Sequence, residues 1–491
     1  MTHSPLATRL PRRRFLQAAV AGAAACGLPA FSRAQVSGAN EEIRVGVIGV
    51  RGRGGDHIQG FSAVPGVRVA ALCDCDAAAL DSAAQKLRGQ GQRVETYADV
   101  RQLLDSKAVD VISTATPNHW HALVTVWGCQ AGKDVYVEKP VSHNVWEGRQ
   151  AVNASRRYNR IVQTGTQSRS SREGVAQAIE WLRAGNLGKI LVARGICYKR
   201  RESIGKVSGP QPIPPGIDYN LWCGPAPQEP LRRQRLHYDW HWVWATGNGD
   251  LGNQGIHQMD LARWCLGVNE LSPKVWSVGG RLGYVDDGQT ANTQIVFHDF
   301  APAPLIFEVR GLPAQTGAKD MDQFLGSNVG VHVHCAGGRL FIPGYAATGA
   351  VAYDADGKEL QKWNGAEDHF ANFIQAVRSR KREDLHADIL EGHLSSALCH
   401  TGNIAYRLGA AAGNDAIRER LRADRDAVAT WERLLEHLRA NQVDLAATPL
   451  TLGATLKMDP QTERFVDNDA ANALLTRNYR EPFVVPGVAE A

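Results

Sequence analysis

Two rhythms of apolar and polar positions divide the chain. Between residues 41 and 163, short β-branched runs alternate with helical stretches: "IRVGVIG" from Ile43, "VRVAALCD" ending at Asp74, "AVDVISTATP" from Ala108 and "DVYVEKP" ending at Pro140. Runs that are apolar throughout and separated by helices predict parallel strands covered on both faces. One such helix, about His119 to Ala131, packs between two of the strands. From about Ile161 the texture changes. "GKILVARGICYKR", "PKVWSVGGRLGYV", "NTQIVFHDF", "APLIFEVRG" and "VGVHVHCAGGRLFI" alternate apolar with polar residues. That alternation predicts an α+β domain over 164–409 with a large, open, mostly antiparallel sheet exposed on one face. Two amphipathic helices close this domain. Residues 410–491 read as a helical and then extended tail that can wrap a neighbouring subunit. The fold class is α/β.

The N-terminus has a different composition. Residues 1–34 hold Arg9, Arg12, Arg13, Arg14 and Arg33 and no acid, and an alanine-rich run follows the arginines. A basic head with an adjacent arginine pair, a short apolar stretch and "SRA" before Gln35 predict a twin-arginine export leader cleaved after Ala34. A lipid-anchored variant at Cys26 is the alternative. The apolar stretch is too short for a stable membrane span. Of the formal charge of +5, all belongs to this leader, which leaves 50 basic and 50 acidic residues behind. Nothing in that balance points to nucleic acid. The remaining eight cysteines form no C-x-x-C pair, so buried free thiols are expected, and no spacing predicts a metal site.

The first domain opens with "IRVGVIGVRGRGGDHI", a strand, a glycine-dense turn and a helix start. This is the shape of a dinucleotide-binding turn, with a pyrophosphate resting on the helix N-terminus. Gly49, Gly52 and Gly54 supply the turn, while Arg51 stands where the middle glycine of G-x-G-x-x-G is expected and Arg53 follows. Asp74, at the end of the next strand, suits ribose hydroxyls and repels a 2′-phosphate, which favours NAD over NADP. Arg51 and Arg53 argue the other way. Thr116, Pro117, Asn118 and His121 follow the third strand, and Glu138 and Lys139 end the fourth. All sit where open α/β sheets bind ligands.

These motifs resemble the Gfo/Idh/MocA family, named for glucose–fructose oxidoreductase and inositol dehydrogenase. The carriers are the glycine turn, "TPNHWH", "AGKDVYVEKP" and a helix bearing His257 and Asp260, over about Ile43 to Gly409. The resemblance implies a Rossmann domain, NAD, and a catalytic group of Lys139, His257 and an acid. Family members read D-x-G-x-H where this chain has Asn253-Gln254-Gly255-Ile256-His257. Asn253 cannot take a proton, so the acid–base assignment falls to His257 as base, Lys139 as the group holding the hydroxyl oxygen, and Asp260 one turn on. Gln167 corresponds to a polar amide near the nicotinamide, and Arg169, Tyr198 and Arg200 are candidates for substrate recognition. A long loop rich in Pro, Trp, Tyr, His and Arg contains Trp240, His241 and Trp242, whose rings suit sugar faces.

The function expected is an exported NAD-dependent oxidoreductase acting on a sugar or related carbinol. Export to a compartment without free nucleotide implies a cofactor that travels with the fold and is recycled in place. The alternative is an NAD-dependent glycosidase or lyase that oxidises the sugar transiently. A non-catalytic sugar-binding protein is the third reading. The expected partners are a small carbohydrate, the export machinery and further copies of the chain.

Overall fold

The computed structural model describes residues 42–489. The stretch read as an export leader, with Arg12, Arg13 and Cys26, lies outside the described residues. Six strands build the first sheet: β1 (Ile43–Ile48), β2 (Val67–Cys73), β3 (Glu95–Tyr97), β4 (Val111–Thr114), β5 (Asp134–Val137) and β6 (Val162–Thr164). Their order is β3-β2-β1-β4-β5-β6, and every pairing is parallel. The fully apolar strands are buried because helices cover both faces. The helix Asn118–Gln130 is itself buried almost all round, wedged between the sheet, the helix Val145–Arg157 and the C-terminal segment.

The second sheet holds twelve strands. Its path runs β14 (Glu359–Asn364), β13 (Gly349–Asp354), β12 (Gly338–Pro343), β11 (Val329–Cys335), β7 (Ile190–Tyr198), β10 (Leu305–Arg310), β9 (Thr293–His298), β8 (Lys274–Gly280), β16 (Leu450–Leu452) and β15 (Ala410–Ala412). A short hairpin, β17 (Leu456–Asp459) and β18 (Arg464–Phe465), joins at β8. All pairs but β7–β10 are antiparallel. One face carries the helices Gly255–Leu266 and Ile389–Arg407 in the largest core.

The other face departs from the sequence reading, which left it exposed. Ile417, Leu421, Trp431, Leu434, Leu435 and Leu438 of the tail helices pack on Val192, Trp276, Ile295 and Ile306 of the sheet. The helix Arg425–Ala440 has a strongly one-sided apolar stripe, and this sheet face is what it buries. The extended end, expected to reach another subunit, returns to its own first domain. Phe483 packs edge-on against Trp120 at 5.5 Å, and the Val488 amide donates to Gln150 Oε1 at 2.7 Å. Seven of the eight described cysteines are buried, Cys75 is half-buried, and all are free thiols.

Candidate active site

The strand order reverses between β1 and β4, so the crossover helices diverge there and leave a crevice at the carboxyl ends of the strands. A chamber of about 570 Å³ occupies it. The glycine turn forms its floor by close approach. A Cβ on Gly49 would lie 2.9 Å from the Thr116 nitrogen, and one on Gly54 would lie 1.8 Å from the Gly49 carbonyl oxygen. Gly52 heads the helix Arg53–Ala63 and offers no side-chain cap. Arg51, at the middle position, lines the chamber and reaches across to the end of β2, where it pairs with Asp76 at 2.9 Å.

The acids at the end of β2 act together. Asp74 accepts from the amides of Val50 and Asp76, each at 3.0 Å, which ties the β2 end to the glycine turn. Burial pushes its pKa up. Asp76, which the sequence reading passed over, accepts from Arg51 and lies 3.0 Å from His237 Nε2. An aspartate directly before "AAAL" is the N-cap signal that marks it. Thr116, Pro117, Asn118 and His121 line the opposite wall. Their order is fixed by polar bonds: His121 sits between the Thr116 and Pro140 carbonyls at 2.7 and 2.5 Å, and Asn118 donates to Asn248 Oδ1 at 2.9 Å.

The long loop, residues 199–248, lies across this chamber. The Asp218 amide donates to the Cys75 carbonyl at 3.0 Å, and the Ala77 amide to the Gly216 carbonyl at 3.0 Å. His119 Nε2 and Trp120 Nε1 reach the Trp222 carbonyl at 3.0 and 3.2 Å. The C-terminal segment fastens the loop from outside. Arg480 donates to the carbonyls of Asn220 and Gly224 at 2.8 and 2.9 Å, and Arg477 to that of Ala245 at 2.9 Å. Trp222, His237, Tyr238, Trp240 and His241 thereby line the first chamber. Burial drives the His241 pKa down to about 3, so the ring is neutral.

A second chamber of about 530 Å³ shares Arg53, Glu138 and Lys139 with the first. Glu138 is buried and accepts from Arg53 at 2.7 Å and from the Lys139 amide at 3.2 Å, with His57 Nε2 at 3.2 Å. Burial works against its charged form, but His57 and Arg53 outweigh that and hold its pKa well below the usual carboxylate range. Glu138 is therefore a fixed anion that places Arg53. Lys139 Nζ donates to the Asn253 backbone carbonyl at 2.9 Å, and burial pushes its pKa down against the pull of Glu138. Asn253 thus positions the lysine through its main chain, which any residue supplies, so the missing acid leaves Lys139 in place.

His257, Gln167, Lys199, Gln254 and Tyr345 complete the second chamber. Among the described residues no group hydrogen-bonds the His257 ring, which lies 5.7 Å from the Tyr345 ring. Burial first, and then the Lys139 charge, push its pKa well below 6.5. A neutral imidazole with free nitrogens beside an ammonium is equipped to take a proton.

Several expected site residues stand elsewhere. Asp260 and Arg169 are locked together at 2.8 Å in the core, with Ser395 donating to the same carboxylate at 2.7 Å. Arg169 also pairs with Glu391 at 2.9 Å, so both groups are engaged within the core, and neither lines a chamber. Tyr198 is buried on the opposite face of β7 and donates to Glu308 at 2.6 Å. Side chains alternate along a strand, so Tyr198 and its second neighbour share a face that Lys199 does not. That rule assigns Lys199, not the named Tyr198 or exposed Arg200, to the cleft. Trp242 is buried with Arg201 over its ring at 5.5 Å and lines neither chamber. Trp240 and His241, expected against a sugar, line the first chamber. Among the described residues no cluster of three or more His, Cys, Asp or Glu is arranged for a metal ion, and no helix is long and apolar enough to cross a membrane.

Similarity to known proteins follows the same division. Residues 43–166 match the Gfo/Idh/MocA oxidoreductase family model for the NAD-binding Rossmann fold, and residues 189–295 match that family's C-terminal alpha/beta domain. A glycosyl hydrolase family 109 protein of Shewanella pealeana is 33% identical over 122 residues, covering 24% of this chain and 27% of the relative. An alpha-N-acetylgalactosaminidase of Shewanella oneidensis is 30% identical over 156 residues, covering 31% of this chain and 34% of the relative. The chain thus spans about a third of the length of these curated relatives. Among solved structures, the WlbA dehydrogenase of Bordetella pertussis, in complex with NADH and UDP-GlcNAcA, superposes with a TM-score of 0.53 at 19% identity, covering 73% of this chain and 94% of that one. An oxidoreductase domain protein of Kribbella flavida gives 0.54 at 18% identity, covering 74% and 96%. The chain therefore carries the NAD-binding Rossmann domain and the C-terminal alpha/beta domain of the Gfo/Idh/MocA oxidoreductase family.

Proposed function

We propose that this protein is an enzyme that oxidises a sugar carbinol with a resident NAD, restored within each catalytic cycle. The observation that carries this reading is the roof. The chain's own loop lies along the first chamber and lines it with Trp222, Trp240 and His241, and that loop is fastened by the chain's own C-terminus. The chamber fits a dinucleotide. Gly49 and Gly54 let the turn fold tightly on Thr116 and on itself, which sets the Arg53–Ala63 helix N-terminus toward a pyrophosphate. Asp74 lines the same chamber at the end of β2. The carboxylates of Asp74 and Asp76 at the end of β2 would repel a 2′-phosphate, and Asp76 draws one Arg51 nitrogen to itself, so NAD is favoured over NADP.

When bound, NAD takes up and returns the two electrons of a carbinol C–H. The protein does the rest. Lys139, fixed by the Asn253 carbonyl, holds the sugar oxygen and stabilises its negative charge as the proton leaves. His257 accepts that proton as a neutral base. Glu138 keeps Arg53 and Gln167 turned toward the wall between the chambers.

The relatives named as family 109 glycosyl hydrolases favour a second form of the same cycle. Once a sugar carbon is oxidised and His257 has passed the hydroxyl proton to solvent, the adjacent C–H is acidic. His257 would take that proton and hand it to the departing glycosidic oxygen, leaving an enone. Water would then add across the C=C, its hydroxyl at the anomeric carbon and its proton at the α-carbon. Reduction of the ketone with uptake of one proton would restore the hydroxyl. The leader at residues 1–34 fits this design, since a twin-arginine route carries folded proteins and so would deliver the loaded enzyme. The test is turnover without added nucleotide. Purified protein incubated with aryl glycosides, or with an aldose and ketose pair, should complete many cycles per chain. A requirement for stoichiometric free NAD would overturn the proposal.

A further inference from the structure

We infer that the second chamber recognises an anionic group on the sugar, a carboxylate or a sulfate ester, through Lys199, Gln254 and Arg53. The inference rests on the carbohydrate reading above and narrows it to acidic sugars. Lys199 leaves the end of β7 and enters the chamber beside Tyr345, its ammonium 5.4 Å from that ring. Its polar partner is Gln254 Oε1 at 3.3 Å. Among the described residues no carboxylate lies within 4.0 Å of the Lys199 or Lys139 ammonium.

Gln254 is 6% exposed, and its Nε2 has no partner. Because the ammonium of Lys199 occupies Oε1, the amide orientation is fixed and its N–H donors are left for the chamber. Arg53 repeats the pattern. Its Nε and Nη1 meet Glu138 and Asp56 at 2.7 and 3.2 Å, while Nη2 is buried without a partner. Buried donors left unpaired are costly, and both residues line this chamber, Arg53 from the wall it shares with the first.

The other acids of the chamber do not meet the need. Glu138 is consumed by Arg53 and His57, Asp56 lies against Arg53, and Glu367 is half exposed and 3.9 Å from His386. A sugar hydroxyl satisfies one donor and leaves the Lys199 charge uncompensated. An oxyanion with several lone pairs satisfies the ammonium, the amide and the guanidinium together.

The test uses the purified protein with its nucleotide bound and matched ligand pairs: methyl glucoside against methyl glucuronide, methyl galactoside against methyl galacturonide, and each glycoside against its 6-O-sulfate. Binding is read by titration calorimetry. At least one acidic member should bind about tenfold or more tighter than its neutral partner. Whether the uronide or the sulfate wins identifies the anion. In Lys199→Met the preference should collapse toward unity, and Lys199→Arg should keep most of it. Equal affinity for neutral and acidic partners would overturn the inference while leaving the resident-cofactor reading intact, as would a preference untouched by Lys199→Met. Binding of no sugar by a nucleotide-loaded protein would sink the carbohydrate reading and this inference with it.

Discussion

The two chambers share a wall yet treat their polar groups in opposite ways. In the first, Asp74, Asp76, His121 and Asn118 are each tied to the protein by at least one hydrogen bond or ion pair. In the second, among the described residues, no group hydrogen-bonds the His257 ring and Gln254 Nε2 is orphaned, and on the wall common to both chambers Arg53 Nη2 is orphaned as well. A site whose groups hold one another in place is built before its ligand arrives, which suits a cofactor that stays. Groups without partners suit a ligand that comes and goes and brings the missing acceptors. On the proposed cycle, the difference would separate a resident cofactor from the sugar that is turned over.

The sharpest way to break this comparison is at the shared wall. Lys139→Ala should lower kcat by about 10²–10⁴-fold in single-substrate turnover, because the group that stabilises the alkoxide is gone. A variant within a few-fold of the parent would mean the wall does no chemistry. His257→Ala should cost a similar factor. It carries a pH signature as well: with its pKa held well below 6.5, the base stays deprotonated, so kcat should remain flat as pH falls from 8 to 6.5. A profile halved near 6.5 would contradict the burial of that ring.

The roof gives the next largest effect. Arg480→Ala removes the bonds to the loop carbonyls at Asn220 and Gly224, and nucleotide loss on dilution should accelerate about tenfold. Release measured by rapid gel filtration checks this, and an unchanged rate would show that the C-terminal fastening is idle.

A smaller, distributed effect concerns acid stability. His119, His298 and His400 are buried and have pKa values lowered to about 3. Their unfolded forms bind protons from 6.5 downward while the folded forms do not. Stability is therefore full above 6.5 and falls between 6.5 and about 3, by about 1.4 kcal/mol per pH unit for each ring. Melting temperature should drop steadily from pH 7 to pH 5. A flat profile would mean these rings are charged in the fold.

Much of the first domain was legible because its signals are local. The glycine turn, the apolar strands and the acid ending β2 each follow from a few adjacent residues, and Gly49 and Gly54 prove to be positions where a side chain collides. The second domain was legible as a sheet but not as a site. His257 and Asp260 share a helical face in sequence, yet Arg169 from a distant segment claims Asp260, and nothing local announces that pairing. The same holds for the tail. The apolar stripe of Arg425–Ala440 shows that it must cover something, while its target, the outer sheet face, is set by long-range packing. Tyr198 is the instructive error, since strand alternation alone would have moved attention to Lys199.

The central claim is that NAD is a resident part of the fold. The direct test is to denature the purified protein, produced with its leader in a host that exports it, and to quantify the released nucleotide. The account predicts close to one equivalent of NAD per chain. A chain that emerges with an empty first chamber, or that has lost its nucleotide during purification, would contradict it.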